Sequence, residues 1–193
     1  GLQLGFMGAR VLKIEPPEGD VVRRRKREVE PYPLVMLNSN KESVVLDLKQ
    51  PRGKEIFLAL VAQADVLIEN FAAGVMDRLG LGWEVLHKLN PRLVYGGSSG
   101  FGLDGPYRDL PAMDVTIQAM SGITNATGDA DGPPTKAGAA VCDFLAGIHL
   151  CAGILGALVQ RERTGKGQRV EVAMHEAAVT SLASAMGAVM DGD

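Results

Sequence analysis

Asp143 has the clearest chemical use of any residue in this sequence, because it stands at the head of a long apolar run, Phe144 to Val159. A carboxylate placed directly before a helix accepts backbone N–H bonds as an N-cap, and those bonds hold it ionised. With a reference pKa of about 3.9, such a group needs no base to act as a nucleophile at neutral pH. Capping and chemistry are compatible, and the spacing alone leaves both open. Cys142 and His149 offer a thiol and a base nearby, but seven helical residues at about 1.5 Å each hold them roughly 10 Å apart. The expectation for this pair is two core side chains on one helical face.

Two glycine patterns invite a nucleotide reading and fail it. Gly100-Phe101-Gly102-Leu103-Asp104-Gly105 matches G-x-G-x-x-G after a strand, yet Pro106 and Pro111 bracket a loop where a phosphate-binding helix should open. Gly165-Lys166-Gly167 lacks the Ser or Thr that follows the lysine of a phosphate loop. Positive charge gathers instead at Arg23-Arg24-Arg25-Lys26-Arg27, with Lys41, Lys49 and Arg78 near other predicted strand ends. Arginine forks suit phosphates, while a solvated loop is equally served by such a run. No two histidines or cysteines have the spacing of a metal site, and no metal is expected.

Positioning these residues takes alternating strands and helices. Short β-branched or apolar runs predict strands over 11–15, 44–48, 65–71 and 169–173, and another from 93 to 95 that runs into the glycine-rich stretch 96–105. Helical periods predict a helix opening at Pro51, short turns over 75–79 and 83–89, and helices over 112–121, 143–163 and 176–189. Strands with nearly continuous apolar character between helices indicate an α/β fold, a mostly parallel sheet with helices on both faces. In such sheets ligands gather at the carboxyl ends of the strands.

Composition narrows the partners. The 193 residues are 46% hydrophobic and 22% charged, enough for one sizeable core. A net charge of −3 gives no overall basic field for a nucleic acid or an anionic membrane surface. The apolar run 144–159 falls short of the roughly 20 residues a membrane span needs and reads as a buried helix. No signal-peptide pattern opens the chain. Cys142 and Cys151, both inside the apolar helix, suit buried thiols and a reducing, cytoplasmic setting.

A longer series of segments carries a family likeness. It runs through Gly8-Ala9-Arg10-Val11-Leu12-Lys13-Ile14-Glu15-Pro16-Pro17, Asn40-Lys41, Leu46-Asp47-Leu48-Lys49 and Ala64-Asp65-Val66-Leu67-Ile68-Glu69-Asn70-Phe71. It continues through Asp77-Arg78-Leu79-Gly80, Asn90-Pro91-Arg92-Leu93, Gly105-Pro106-Tyr107 and Arg163-Thr164-Gly165-Lys166-Gly167-Gln168. In order and spacing these resemble the family III CoA-transferases, which include formyl-CoA transferase, carnitine CoA-transferases and the related 2-methylacyl-CoA racemases. The resemblance implies a Rossmann-like large domain over residues 1–193, truncated at both ends, with the first strand and the small domain absent and little activity from this piece alone. It implies that Asp143 is the covalent nucleophile, passing through an aspartyl anhydride and an aspartyl-CoA thioester. Contacts to CoA or substrate are implied at Arg23, Leu46, Lys49, Asn70, Phe71, Arg78, Met113 and Asp114. The implied partners are an acyl-CoA and a free carboxylic acid, in an interlocked homodimer, with CoA as substrate and no tightly bound cofactor. The racemases place a histidine beside the aspartate at the position of Asp114. Here that neighbour is Met113, which disfavours proton-abstracting chemistry.

Overall fold

A computed structural model describes residues 1–23 and 31–192. The chain divides into two compact units, Gly1–Ala64 and Asp65–Asp193. In the first, helix α1 (Leu2–Phe6) precedes strand β1 (Leu12–Glu15). Helix α2 (Tyr32–Asn38) leads to strand β2 (Glu42–Val45), which pairs in parallel with β1, Leu12 opposite Glu42 and Glu15 opposite Val45. Helix α3 (Pro51–Val61) opens on proline, where a missing N–H costs nothing, and buries Gly53, Phe57 and Val61 at four-residue spacing. Strand β2 lies earlier than the apolar run 44–48 suggests. Leu46 still bonds Glu15 through its backbone, but the Asp47 carboxylate then accepts the Lys49 N–H and turns the chain. Helices α1 and α2 were not expected from the sequence.

The second unit holds a three-stranded parallel sheet in the order β3 (Val66–Glu69), β4 (Val94–Ser99), β5 (Arg169–Ala173). Helices α4 (Val75–Arg78) and α5 (Trp83–Leu89) link β3 to β4. Helices α6 (Asp114–Ser121) and α7 (Val141–Thr164) link β4 to β5, and α8 (Met174–Thr180) and α9 (Ala183–Asp191) follow. Val94 to Gly97 of central β4 are all buried, as a strand covered on both faces requires. On one face lies α7: a Cβ on Gly96 would stand 2.7 Å from Ile154 Cδ1, so glycine there lets the helix close on the strand. On the other face the Tyr95 ring meets Trp83 of α5 edge-on at 6.0 Å. Among the described residues the strand pairings of both units are parallel.

Helix α7 sets the geometry of the second unit. It buries Cys142, Ala146, Leu150, Ile154, Ala157 and Arg161, a stripe at three- and four-residue spacing that packs on β4, β5, α6 and α8. At its far end the Arg161 guanidinium bonds the Asp65 and Arg92 carbonyls at 3.3 and 3.2 Å, just before β3 and β4 begin. The helix therefore runs antiparallel to the strands, and its first turn lies toward their carboxyl ends.

Three expectations about this helix are corrected. It begins at Val141 with Ala140 as N-cap, so Asp143 sits inside the first turn and is not the cap. Its opposite face is open, with Phe144 52% and Val159 60% exposed, so the helix is not buried all round. At 24 residues it is also long and apolar enough to cross a membrane by length and composition, though its buried stripe packs as a core helix does. The expected terminal helix is broken in two near Ser181 and Leu182.

Candidate active site

Asp143 gets its direction from the residue before it. Cys142 is fully buried in a cluster with Ile117 of α6 and Ala178 of α8, which fixes the rotation of α7. The next residue, about 100° further round the helix, falls on the open side, and Asp143 is exposed. His149, expected in the core with Cys142, is also exposed, and its Nδ1 lies 2.8 Å from the Leu145 carbonyl oxygen. Seven residues turn the helix by nearly two full turns, so the two side chains point almost the same way, and what differs is the cover: Cys142 packs with Ile117 of α6 and Ala178 of α8, and His149 is left exposed.

The α7 amides are capped from another helix. Asp114, in the first turn of α6, accepts the N–H of Cys142 at 2.8 Å and of Asp143 at 3.1 Å on one carboxylate oxygen. Those are two of the donors that every helix start leaves without an intrahelical partner. The N-cap Ala140 offers no side-chain bond. The Asp143 carboxylate itself accepts no hydrogen bond among the described residues. Partial burial pushes its pKa above the ordinary carboxylate value, and the Asp114 charge pushes the same way. The expectation that helix N–H bonds hold Asp143 ionised is thus corrected: Asp114 takes those bonds. The Cys142 thiol, buried and beside both acids, is pushed up to about 11, which leaves it protonated and inert at neutral pH.

Met113 and Asp114 come together with Asp143, Met113 as the exposed N-cap of α6. Asn70, Phe71 and Arg78 form a second group past the carboxyl end of β3. Phe71 lines a cavity of about 240 Å³ with Gly74, Trp83, Tyr95, Arg108 and Arg169. Arg78 reaches its wall, with a guanidinium nitrogen 3.1 Å from where a Cβ on Gly74 would lie. The cavity floor is a row across the sheet, Glu69, Gly97 and Glu171, in register. Gly97 lets the Glu69 carboxylate lie over the strand, since a Cβ there would stand 3.0 Å from it. Glu69 accepts the Tyr95 hydroxyl at 3.1 Å and the Phe71 N–H at 2.8 Å, yet burial still raises its carboxyl. Burial and the nearby Glu69 charge also raise the Tyr95 phenol, and Arg169 stands 5.6 Å from the ring centroid.

Arg23, Leu46 and Lys49 belong to the first unit. Arg23 donates to Glu15 at 3.3 Å, Leu46 follows β2 half-buried, and Lys49 is exposed. Burial pushes Glu15 up, but bonds from Ser43, Arg23 and the Asp20 N–H, with the Lys13 charge, hold it below the ordinary value. Lys41, directly before β2, donates to Leu37 and Asn38 at the end of α2. Arg24 to Arg27 lie outside the described residues.

Sequence reasoning missed Gln118 and the Glu69–Tyr95 pair. Gln118 sits four residues after Asp114, the spacing at which Asp and Gln side chains meet on one helix face, and that signal was available. The Glu69–Tyr95 bond spans two strands whose register the sequence does not state.

Comparison with known proteins follows the same outline. The family model described as CoA-transferase family III matches residues 2–193. The formyl-CoA:oxalate CoA-transferase of Streptomyces avermitilis is 49% identical over 177 residues, covering 90% of this chain and 43% of that protein. The acetyl-CoA:oxalate CoA-transferase of Acetobacter aceti is 48% identical over 184 residues, covering 93% of this chain and 47% of that protein. A crystal structure of a CAIB/BAIF family protein from Brucella suis superposes with a TM-score of 0.95 at 38% identity, over all of this chain and 53% of its own. The chain thus spans less than half the length of these two curated relatives.

Proposed function

Because the chain belongs to the family III CoA-transferases, we propose that it moves CoA from an acyl-CoA to a free carboxylate with Asp143 as the nucleophile. The observation that carries this reading is a carboxylate in the first turn of α7, beside Asp114, that accepts no hydrogen bond from the described residues. A carboxylate left out of the protein hydrogen bonds around it and raised in basicity is a better nucleophile than one tied to helix amides.

The chemistry balances without an added proton or redox partner. An Asp143 oxygen attacks the thioester carbonyl, the C–S bond breaks, and CoA leaves as a thiolate. The thiolate then attacks the Asp143 carbonyl of the mixed anhydride, releasing the donor acid as a carboxylate and leaving an aspartyl-CoA thioester. An acceptor carboxylate attacks that thioester and expels the thiolate again, and the thiolate takes the acceptor acyl group and frees Asp143. Formyl-CoA or acetyl-CoA as donor and oxalate as acceptor are the substrates we propose, from the names of the similar enzymes.

Arg23, Leu46, Lys49, Asn70, Phe71 and Arg78 are the proposed CoA contacts, with Met113 and Asp114 beside the acyl group. The 240 Å³ cavity at Phe71 has room for part of a CoA molecule only. The 193 residues are proposed to supply part of the large CoA-binding and catalytic domain, in keeping with the share of the relatives they cover. A cytoplasmic, interlocked homodimer is the proposed working form, consistent with the two free cysteines. The exposed Met113 supplies no base for a racemase.

The test is turnover by the full-length protein, with formyl-CoA and oxalate mixed and the CoA thioesters separated by chromatography. Oxalyl-CoA should appear with the parent and not with Asp143→Asn, while calorimetry shows CoA still bound by the variant. Normal transfer by Asp143→Asn would refute the assignment.

A further inference from the structure

We propose that Gln118 is a positioning residue for Asp143, acting through Asp114. The inference rests on the nucleophile reading above and adds a residue to it. Gln118 is 1% exposed, and a buried primary amide is costly unless its polar atoms are satisfied. Here they are bonded across separate elements. Its carbonyl oxygen accepts the Ala137 N–H at 2.8 Å, in the segment leading into α7. Its nitrogen donates to Asp114 Oδ1 at 2.5 Å and to the Ala139 carbonyl at 3.4 Å. Asp114 is thereby fixed on one oxygen and left with the other for the Cys142 and Asp143 amides. The first turn of α7 is therefore held to α6 through Asp114, and both Asp114 and the incoming chain are held by one side chain.

The chemical type of that side chain matters as much as its place. A lysine or arginine at 118 could also bond Asp114, but its charge would cancel the carboxylate beside Asp143. An amide orients Asp114 and leaves its negative charge in force. That charge, after burial, is the second cause that raises the Asp143 carboxyl. A glutamate would lose both donated bonds and set like charge against Asp114. Gln118 meets both requirements, donor geometry and neutrality.

The experiment uses the full-length protein with formyl-CoA and oxalate, and compares Gln118→Met with Gln118→Glu. Both should lower kcat by about tenfold to a hundredfold through misplacement of the reacting group, with KM for formyl-CoA little changed. Gln118→Glu should also gain activity as pH falls, because the new carboxyl can share a proton with Asp114 and restore one donated bond. A purely packing residue would not produce that pH limb. Trapping with hydroxylamine separates the two levels of the proposal. If the parent forms no adduct at Asp143, the nucleophile reading and this inference fall together. An adduct at Asp143 in the parent, with parental kcat and pH profile in both variants, overturns the inference alone. If Gln118→Met does not fold, Gln118→Glu at acid pH decides, and failure of both to fold at any pH assigns the residue to stability and overturns the proposal.

Discussion

The two ends of α7 carry opposite kinds of polar residue. At the carboxyl end, Arg161 is 7% exposed and bonded to two backbone carbonyls and to the Asp65 carboxylate at 2.9 Å. At the amino end, Asp143 is exposed, accepts no hydrogen bond among the described residues, and has its amide tied down by Asp114 instead. One end is fastened by its side chain and the other by its backbone. The difference separates stability from chemistry: a charged group bonded on several sides anchors a helix, whereas a side chain left out of the bonding around it can react.

The largest expected effect falls at the amino end. Asp143→Asn should lower transfer by about a thousandfold or more, equivalent to roughly 4 kcal/mol of barrier, while circular dichroism and CoA binding stay near parental. The comparison breaks if this variant unfolds instead.

At the carboxyl end the loss should be in stability. Arg161→Met removes the bonds to Asp65 and Arg92 and should cost about 2–4 kcal/mol in urea unfolding, with kcat of the folded fraction retained. A large fall in kcat at unchanged stability would contradict the division between the ends.

A smaller effect tests the Asp143 environment by pH. Its carboxyl is raised in the fold, so it favours folding fully below its unfolded pKa, and that contribution is lost as pH rises through the folded pKa. Asp143→Asn should therefore be the more stable protein at neutral pH, with the gap closing on acidification. Glu15 in the first unit is lowered, so its contribution is present above the unfolded pKa and is lost as pH falls through the folded one. Glu15→Gln should accordingly be the less stable protein at neutral pH, and thermal melts across the acid range would read both slopes.

The smallest effect lies on the open face between the two ends. Val159→Gln, at a side chain 60% exposed, should change stability by no more than about 0.5 kcal/mol. A larger loss in the full-length protein would mean that this face is covered there.

Much of this was legible in the sequence, because strands such as 169–173 and helices such as the one opening at Pro51 carry their own periods and punctuation. The α/β class and the parallel pairing followed from their alternation. What the sequence hid is tertiary. Asp143 reads as an N-cap because an acid before an apolar run is the usual cap, yet α7 starts two residues earlier, since Asp114 from α6 caps it. His149 reads as core because apolar neighbours surround it in sequence, but burial on this face rests on cover such as α6 and α8 give Cys142, which the sequence does not state. The Glu69–Tyr95 bond depends on strand register, which no local pattern states.

The central claim, that Asp143 is the covalent nucleophile, is tested most directly by catching the acyl group on it. Full-length protein incubated with formyl-CoA and no acceptor, then quenched with hydroxylamine, should yield a hydroxamate at Asp143 alone when its peptides are mapped by mass spectrometry. An adduct on another residue, or a free Asp143 in protein that still turns over, would contradict it.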